Sequence, residues 1–175
     1  MATTSIIPVE EYLHTTYEPD MEYVDGQLVE RHVGEWRHSL LQNALGALLR
    51  SRARGRFLAF TEQRVQVSMN PQRYRIPDLC VVALPYAPEP VLTRPPHLAI
   101  EIVSPDDSFA DVLGKVAEYL KAGIPHIWMP NPYKRTLHVA DQDGIRLCPD
   151  LIAETELVGR VDFGELFAEL DSLER

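Results

Sequence analysis

The chain has 175 residues, 45% hydrophobic and 25% charged, enough to bury a sizeable core and too apolar for wholesale disorder. A formal net charge of −9 argues against a protein that coats nucleic acid by bulk electrostatics, since counterion release needs Lys and Arg facing phosphate. No apolar run approaches the roughly 18 residues of a membrane span, residues 1–11 lack the pattern of a signal peptide, and Cys80 and Cys148 make no disulfide framework. The expectation is one domain over residues 1–175, in the cytoplasm, with reduced thiols.

Pro8 stands where a first helical turn tolerates proline, so a short helix is expected to open the chain. Residues 21–24 and 27–31 flank Asp25-Gly26, a strong two-residue hairpin signal. Leu40, Leu41, Ala44, Leu45, Leu48 and Leu49 follow a helical period that ends near Gly55. Arg50, Arg52, Arg54 and Arg56 crowd that end, either offsetting the carbonyl end of the helix dipole or offering a basic patch to a polyanion. Strands are expected at 57–60 and 64–67, and the continuous apolar run 79–84 reads as a buried strand. Residues 85–96 hold Pro85, Pro88, Pro90, Pro95 and Pro96, and proline lacks the donor a ladder needs, so this is a loop.

A second buried strand is expected at 98–103. Ser108 and Asp111 have capping-box spacing, opening a helix that stops at Gly123. Strands at 124–129 and 136–140, another after Asp143-Gly144, and a helix at 163–170 complete the chain. No internal repeat interrupts it. The order α-β-β-α-β-β-β-β-α-β-β-β-α implies an α/β (α+β) fold with a mixed sheet flanked by helices.

Two acids stand out against this background. Glu101 lies inside Leu98-Ala99-Ile100-Glu101-Ile102-Val103, where an ionised carboxylate costs several kcal/mol, roughly, unless it is paired or metal-bound. Asp78 heads the other buried strand. If the strands are neighbours, the acids converge, and one must keep its proton unless a cation lies between them. Hard oxygen ligands favour Mg²⁺ or Mn²⁺; the competing reading is a salt bridge from Glu101 to a buried Arg or Lys. Lys115 sits at the edge of the apolar stripe formed by Val112, Val116, Tyr119 and Leu120. It either reaches the strand end to neutralise charge on phosphate or snorkels over its helix.

Taken together, Arg75-Ile76-Pro77-Asp78-Leu79, Ile100-Glu101-Ile102-Val103-Ser104-Pro105, and then Asp111, Lys115, Tyr119, Gly123 and Trp128 resemble the Uma2 family of endonucleases, within the PD-(D/E)XK restriction-endonuclease-like superfamily. Glu22 to Gly26 resembles the family's acidic hairpin and His38 its helix-opening histidine, so the resemblance covers about residues 8–170. It implies a three-layer core with a central mixed sheet. It also implies Mg²⁺ or Mn²⁺ held by Asp78, Glu101 and the carbonyl of Ile102, with Glu22 as an additional acid and His38 orienting Glu22 or a ligand water. The superfamily's usual lysine falls two residues after the glutamate; that position is Val103 here, and Lys115 takes the role. His126-Ile127 and Asn131 depart from the family's usual residues without touching this set.

Other polar residues are given structural readings. Asp106 and Asp107 are expected to cap the following helix, and Ser104 to hydrogen-bond backbone. His97, His126 and His138 have no metal-ligand spacing, Trp128 and Tyr119 pack in the core, and His14 and His32 receive no role. The catalytic set that the resemblance implies is Asp78, Glu101, Lys115, Glu22 and His38. The expected activity is Mg²⁺-dependent hydrolysis of DNA phosphodiesters, with the Arg50–Arg56 cluster, Arg73 and Arg75 gripping backbone phosphate. A homodimer is implied by the relatives, and the loop at 85–96 would form its interface or cover the cleft. The alternative is a nuclease-fold binding module that does not cut.

Overall fold

A computed structural model describes residues 6–31, 34–105 and 107–173, apart from the side chain of Phe109. Helix α1 (Val9–His14) follows Pro8, and β1 (Met21–Val24) and β2 (Gln27–Glu30) form the expected hairpin. Asp25 and Gly26 both have positive φ, 53° and 87°, as a tight hairpin turn requires. Helix α2 spans Trp36–Ala53 and is followed by β3 (Phe57–Thr61), β4 (Val65–Met69), β5 (Gln72–Arg75), β6 (Leu79–Ala83) and β7 (Leu98–Ile100). Helix α3 (Phe109–Lys121) leads to β8 (His126–Asn131), β9 (Thr136–Asp141), β10 (Gly144–Leu147), β11 (Ile152–Thr155), β12 (Gly159–Asp162) and α4 (Phe163–Ser172).

Six strands build the central sheet in the order β10-β9-β8-β7-β6-β3. It is mixed: β7 and β8 run parallel, joined by a crossover through α3, while the other pairs are antiparallel. Alternation along the strands feeds two cores. Leu79, Val81, Leu98 and Ile100 face Leu41, Leu45 and Leu49 of α2 and Phe163 and Phe167 of α4. Cys80, Val82, Ala99 and Ile127 face Val112, Val116 and Tyr119 of α3 and Val65 and Val67 of β4. Helices, sheet, then helix with β4 make the three expected layers.

Helix α3 is framed as its sequence implies. The Ser108 hydroxyl accepts from the amide of Asp111 at 3.1 Å. At the other end the amides of Gly123 (φ 89°) and Ile124 reach the carbonyls of Leu120 and Tyr119, a Schellman closure. That closure fixes where the helix stops, and so where Lys115 and Tyr119 lie along it.

Three strands escape the sequence pattern. β5 (Gln72–Arg75) has one buried residue, Tyr74, and no apolar alternation, yet it joins a second sheet of order β2-β1-β5-β4. β11 and β12 pair only with each other. β7 is shorter than expected because regular pairing with β6 ends at Ile100, although the amides of Glu101 and Val103 still donate to the carbonyls of Trp128 and Pro130 on β8. Residues 85–96 form a loop whose Leu92 bridges to Val65 and is buried; among the described residues it does not border the cavity described below. No described helix is long and apolar enough to cross a membrane.

Candidate active site

Strands β6 and β7 are antiparallel with Leu79 paired to Ile100, so one further step sets Asp78 beside Glu101 at the strand ends. Both are buried, 4% and 8% exposed, and both line a cavity of about 310 Å³. Glu22 of β1, His38 of α2 and Lys115 of α3 line the same cavity. Five residues spread over the chain from 22 to 115 are thus gathered at one place, while the backbone of Ile102 adds a wall.

Asp78 is the most tightly held. Its Oδ2 accepts from the amide of Ile102 at 2.7 Å, and its Oδ1 meets Arg31 Nη2 at 2.8 Å and His38 Nε2 at 3.3 Å. The alternative expected for Glu101, a salt bridge to a buried Arg or Lys, is present as its pairing with Lys115 at 3.8 Å, and Asp78 has an arginine partner of its own in Arg31. Burial works against charge on Arg31, but Asp78 and Glu101 outweigh it and raise its pKa.

Glu101 is out of phase with Ile100 and Ile102, so it turns toward α3. The Tyr119 hydroxyl donates to its Oε1 at 2.5 Å, and Lys115 Nζ lies 3.8 Å from its Oε2. Burial drives the Glu101 pKa up to about 7; Lys115 opposes the rise, and the charges of Asp78 and Glu22 add to it. The same proximity keeps Lys115 charged, because Glu101 and Glu22 overcome its burial. Burial and the neighbouring acids hold the Tyr119 phenol well above its ordinary range, so it serves as donor.

Glu22, 1% exposed, accepts from Arg75 Nη1 at 2.7 Å and from the amide of Ile76 at 3.0 Å, and meets Lys115 Nζ at 3.4 Å. Arg75 is shared with Glu118, which also binds Arg73, and Arg73 in turn pairs with Asp25. Arg73 and Arg75, expected to grip backbone phosphate, are here paired with carboxylates. His38 sits in the first turn of α2 with Nδ1 3.1 Å from the Ser104 hydroxyl and Nε2 facing Asp78, whereas the expectation was that it orients Glu22 or a ligand water. Burial disfavours its charge, but the Asp78 contact prevails and raises its pKa. Ser104, expected to bind only backbone, is a side-chain partner of His38, and its amide donates to Asp107 at 2.7 Å.

Several expectations end elsewhere. Arg50 and Arg52 close the last turn of α2 and Arg54 caps it, about 20 Å along the helix from His38 by the usual rise. Asp106 and His32 lie outside the described residues. Val103, at the superfamily's lysine position, packs against the core beneath α3. His97 and His126, read as structural, approach each other and Glu156 at the far end of β7. Sequence reading passes over Arg31, which ends the β2 side of the hairpin, and over Tyr119 as a polar partner. A hydroxyl on the apolar face of α3, opposite an intrusive glutamate, was the available signal for the latter.

The donor set suits a hard divalent ion: carboxylates line one buried polar cavity, and burial pushes Glu101 toward holding a proton in spite of Lys115. Among the described residues, Glu22, Asp78 and Glu101 do not bring one oxygen each to within 4.8 Å of the others. Each is met by its own cation instead.

A family model named Uma2, with the description "Putative restriction endonuclease", matches residues 9–161. No curated protein matches. Among solved structures, the chain is similar to one titled a "putative nuclease belonging to DUF820" from Anabaena variabilis, at TM-score 0.81 and 24% identity, covering 94% of this chain and 99% of that one. That likeness shows a shared fold.

Proposed function

The chain belongs to the Uma2 family, and on that premise we propose that it is a metal-dependent endonuclease hydrolysing DNA phosphodiester bonds. The observation that carries the proposal is the meeting of Asp78, Glu101 and Lys115 in one polar cavity at the ends of β6 and β7. Asp78, Glu101 and the Ile102 carbonyl would hold Mg²⁺ or Mn²⁺, with Glu22 as the further acid. Such an ion, when bound, lowers the pKa of a bound water and polarises the phosphoryl oxygen.

The chain's own groups then divide the remaining work. Lys115, kept charged by Glu101 and Glu22, stabilises negative charge on the scissile phosphate. Tyr119 pins Oε1 of Glu101, leaving Oε2 on the side of Lys115. Ser104 fixes the His38 ring, whose Nε2 steadies Asp78. For Asp78 to hold an ion, Arg31 would have to release it; Glu62, 3.8 Å from its Nη1, would offer a second anchor, and substrate phosphate a third. The same reading takes the chain as one cytoplasmic nuclease domain acting as a homodimer, one site for each strand.

One observation favours a second reading, a binding module that does not cut: the guanidinium on Asp78 already satisfies the charge an ion would balance. Plasmid nicking with Mg²⁺ or Mn²⁺ separates the two. The proposal expects wild-type protein to nick, and Asp78→Ala and Glu101→Ala to lose activity by more than about a hundredfold, beyond the 10–100-fold typical of outer-shell partners. Equal cutting by all three proteins would assign the activity to a contaminant, and no cutting by any would favour the binding module.

A further inference from the structure

The end of β7 away from the acids holds a cluster that the nuclease reading does not use. His97 immediately precedes β7, and His126 opens β8, which runs parallel to it with Leu98 paired to His126. The pairing brings the starts of the two strands together, and there the two imidazole ring centroids lie 4.9 Å apart. Glu156 reaches both from the β11–β12 turn: its Oε1 lies 3.7 Å from His97 Nδ1 and its Oε2 3.4 Å from His126 Nε2. One ligand atom from each of the three lies within 4.8 Å of the others, the only such group among the described residues.

We propose that His97, His126 and Glu156 form a second metal site, for Zn²⁺ or a similarly nitrogen-preferring ion, which clips the β11–β12 turn to the starts of β7 and β8, two inner strands of the central sheet. Two imidazoles with one carboxylate is a zinc-type donor set, unlike the all-oxygen set around Asp78 and Glu101. Zinc bonds of about 2.0–2.2 Å in tetrahedral arrangement place ligand atoms roughly 3.3–3.5 Å apart. The two carboxylate–imidazole distances, 3.4 and 3.7 Å, each to its own oxygen of Glu156, lie near that value, and the three ligand atoms lie within 4.8 Å of one another. Glu156 is well exposed, so an ion can reach the cluster without opening the core. Three protein ligands leave a fourth position for water. Because β11 and β12 pair with no strand of the central sheet, an ion here would fasten that hairpin to it.

The test uses tag-free, full-length protein stripped of metal, titrated with ZnCl₂ by calorimetry and followed by thermal unfolding. An Asp78→Asn/Glu101→Gln background removes the acidic site from the measurement. In that background one Zn²⁺ should bind with unchanged affinity, and at a hundredfold excess over Kd the Tm should rise by about 5 °C. His126→Ala should weaken binding at least tenfold and abolish the Tm rise. Glu156→Ala, at an exposed turn residue that the fold does not need, should do the same and guards against a misfolded histidine variant. Zinc affinity unchanged in both variants, absence of zinc binding in wild-type protein, or binding lost only in the Asp78→Asn/Glu101→Gln background would each overturn the proposal. None of these outcomes depends on whether the protein cuts DNA.

Discussion

At the start of β7 stands His97, beside a second imidazole and a carboxylate on an exposed turn; at its end stands Glu101, buried with Asp78 nearby and Lys115 and Tyr119 against it. Burial acts in the same sense at both ends, disfavouring whichever form is charged. It lowers the His97 pKa, which Glu156 partly restores, and it raises that of Glu101 to about 7 against the pull of Lys115. The difference lies in what surrounds them. The acidic end is ringed by hydrogen-bond donors and permanent cations, whereas the histidine end has a single, exposed acid. A site braced on every side is what precise chemistry on a phosphate needs, while a loosely closed one suits a clip.

The sharpest way to break this contrast is Lys115→Met. If the ammonium stabilises transition-state charge, nicking should fall by about 10²–10³-fold while Mn²⁺ affinity stays level or improves, since a competing cation is gone. A parallel loss of metal affinity would make Lys115 merely a counter-ion for the fold. Tyr119→Phe probes the bracing itself. Removing the donor to Glu101 should weaken Mn²⁺ binding by roughly 10–100-fold, as outer-shell partners do, and leave Zn²⁺ binding at the histidine end untouched.

The smallest effect concerns stability without metal. Glu101 titrates near 7 in the folded protein against an ordinary value of 4.5, so between these pH values the folded state holds a proton that the unfolded state has lost. The contribution of this group is full below about pH 4.5 and is lost as pH rises through about 7. Glu101→Gln should therefore stabilise the metal-free protein at pH 8, on the order of 1–2 kcal/mol, with the gain fading toward pH 4.5. Denaturant melts at the two pH values in EDTA measure it, and an equal effect at both would contradict burial as the cause.

Much of the acidic end was legible because it breaks a local rule: a carboxylate inside an apolar strand invites a question that its neighbours do not. Asp78 followed from the second buried strand, and Lys115 from a helix whose Ser108 and Gly123 mark its ends. Arg31 was not legible. Nothing in the hairpin distinguishes it from Arg73 or Arg75, and only the folded chain shows which arginine reaches Asp78 and which reach Glu118. The histidine end was hidden for another reason. His97, His126 and Glu156 are far apart in sequence, and the parallel pairing that unites the first two is a property of the crossover through α3. β5 was missed because its one buried residue, Tyr74, packs with Tyr12 and Tyr23 outside the main core, leaving no periodic signal.

The most direct measurement is the anomalous difference density of a crystal soaked in Mn²⁺. The account predicts an ion bound by the carboxylates of Asp78 and Glu101 and the carbonyl of Ile102, with the Arg31 guanidinium swung away from Asp78. A map in which Arg31 still grips Asp78 at saturating Mn²⁺, with no density between the two acids, would contradict it.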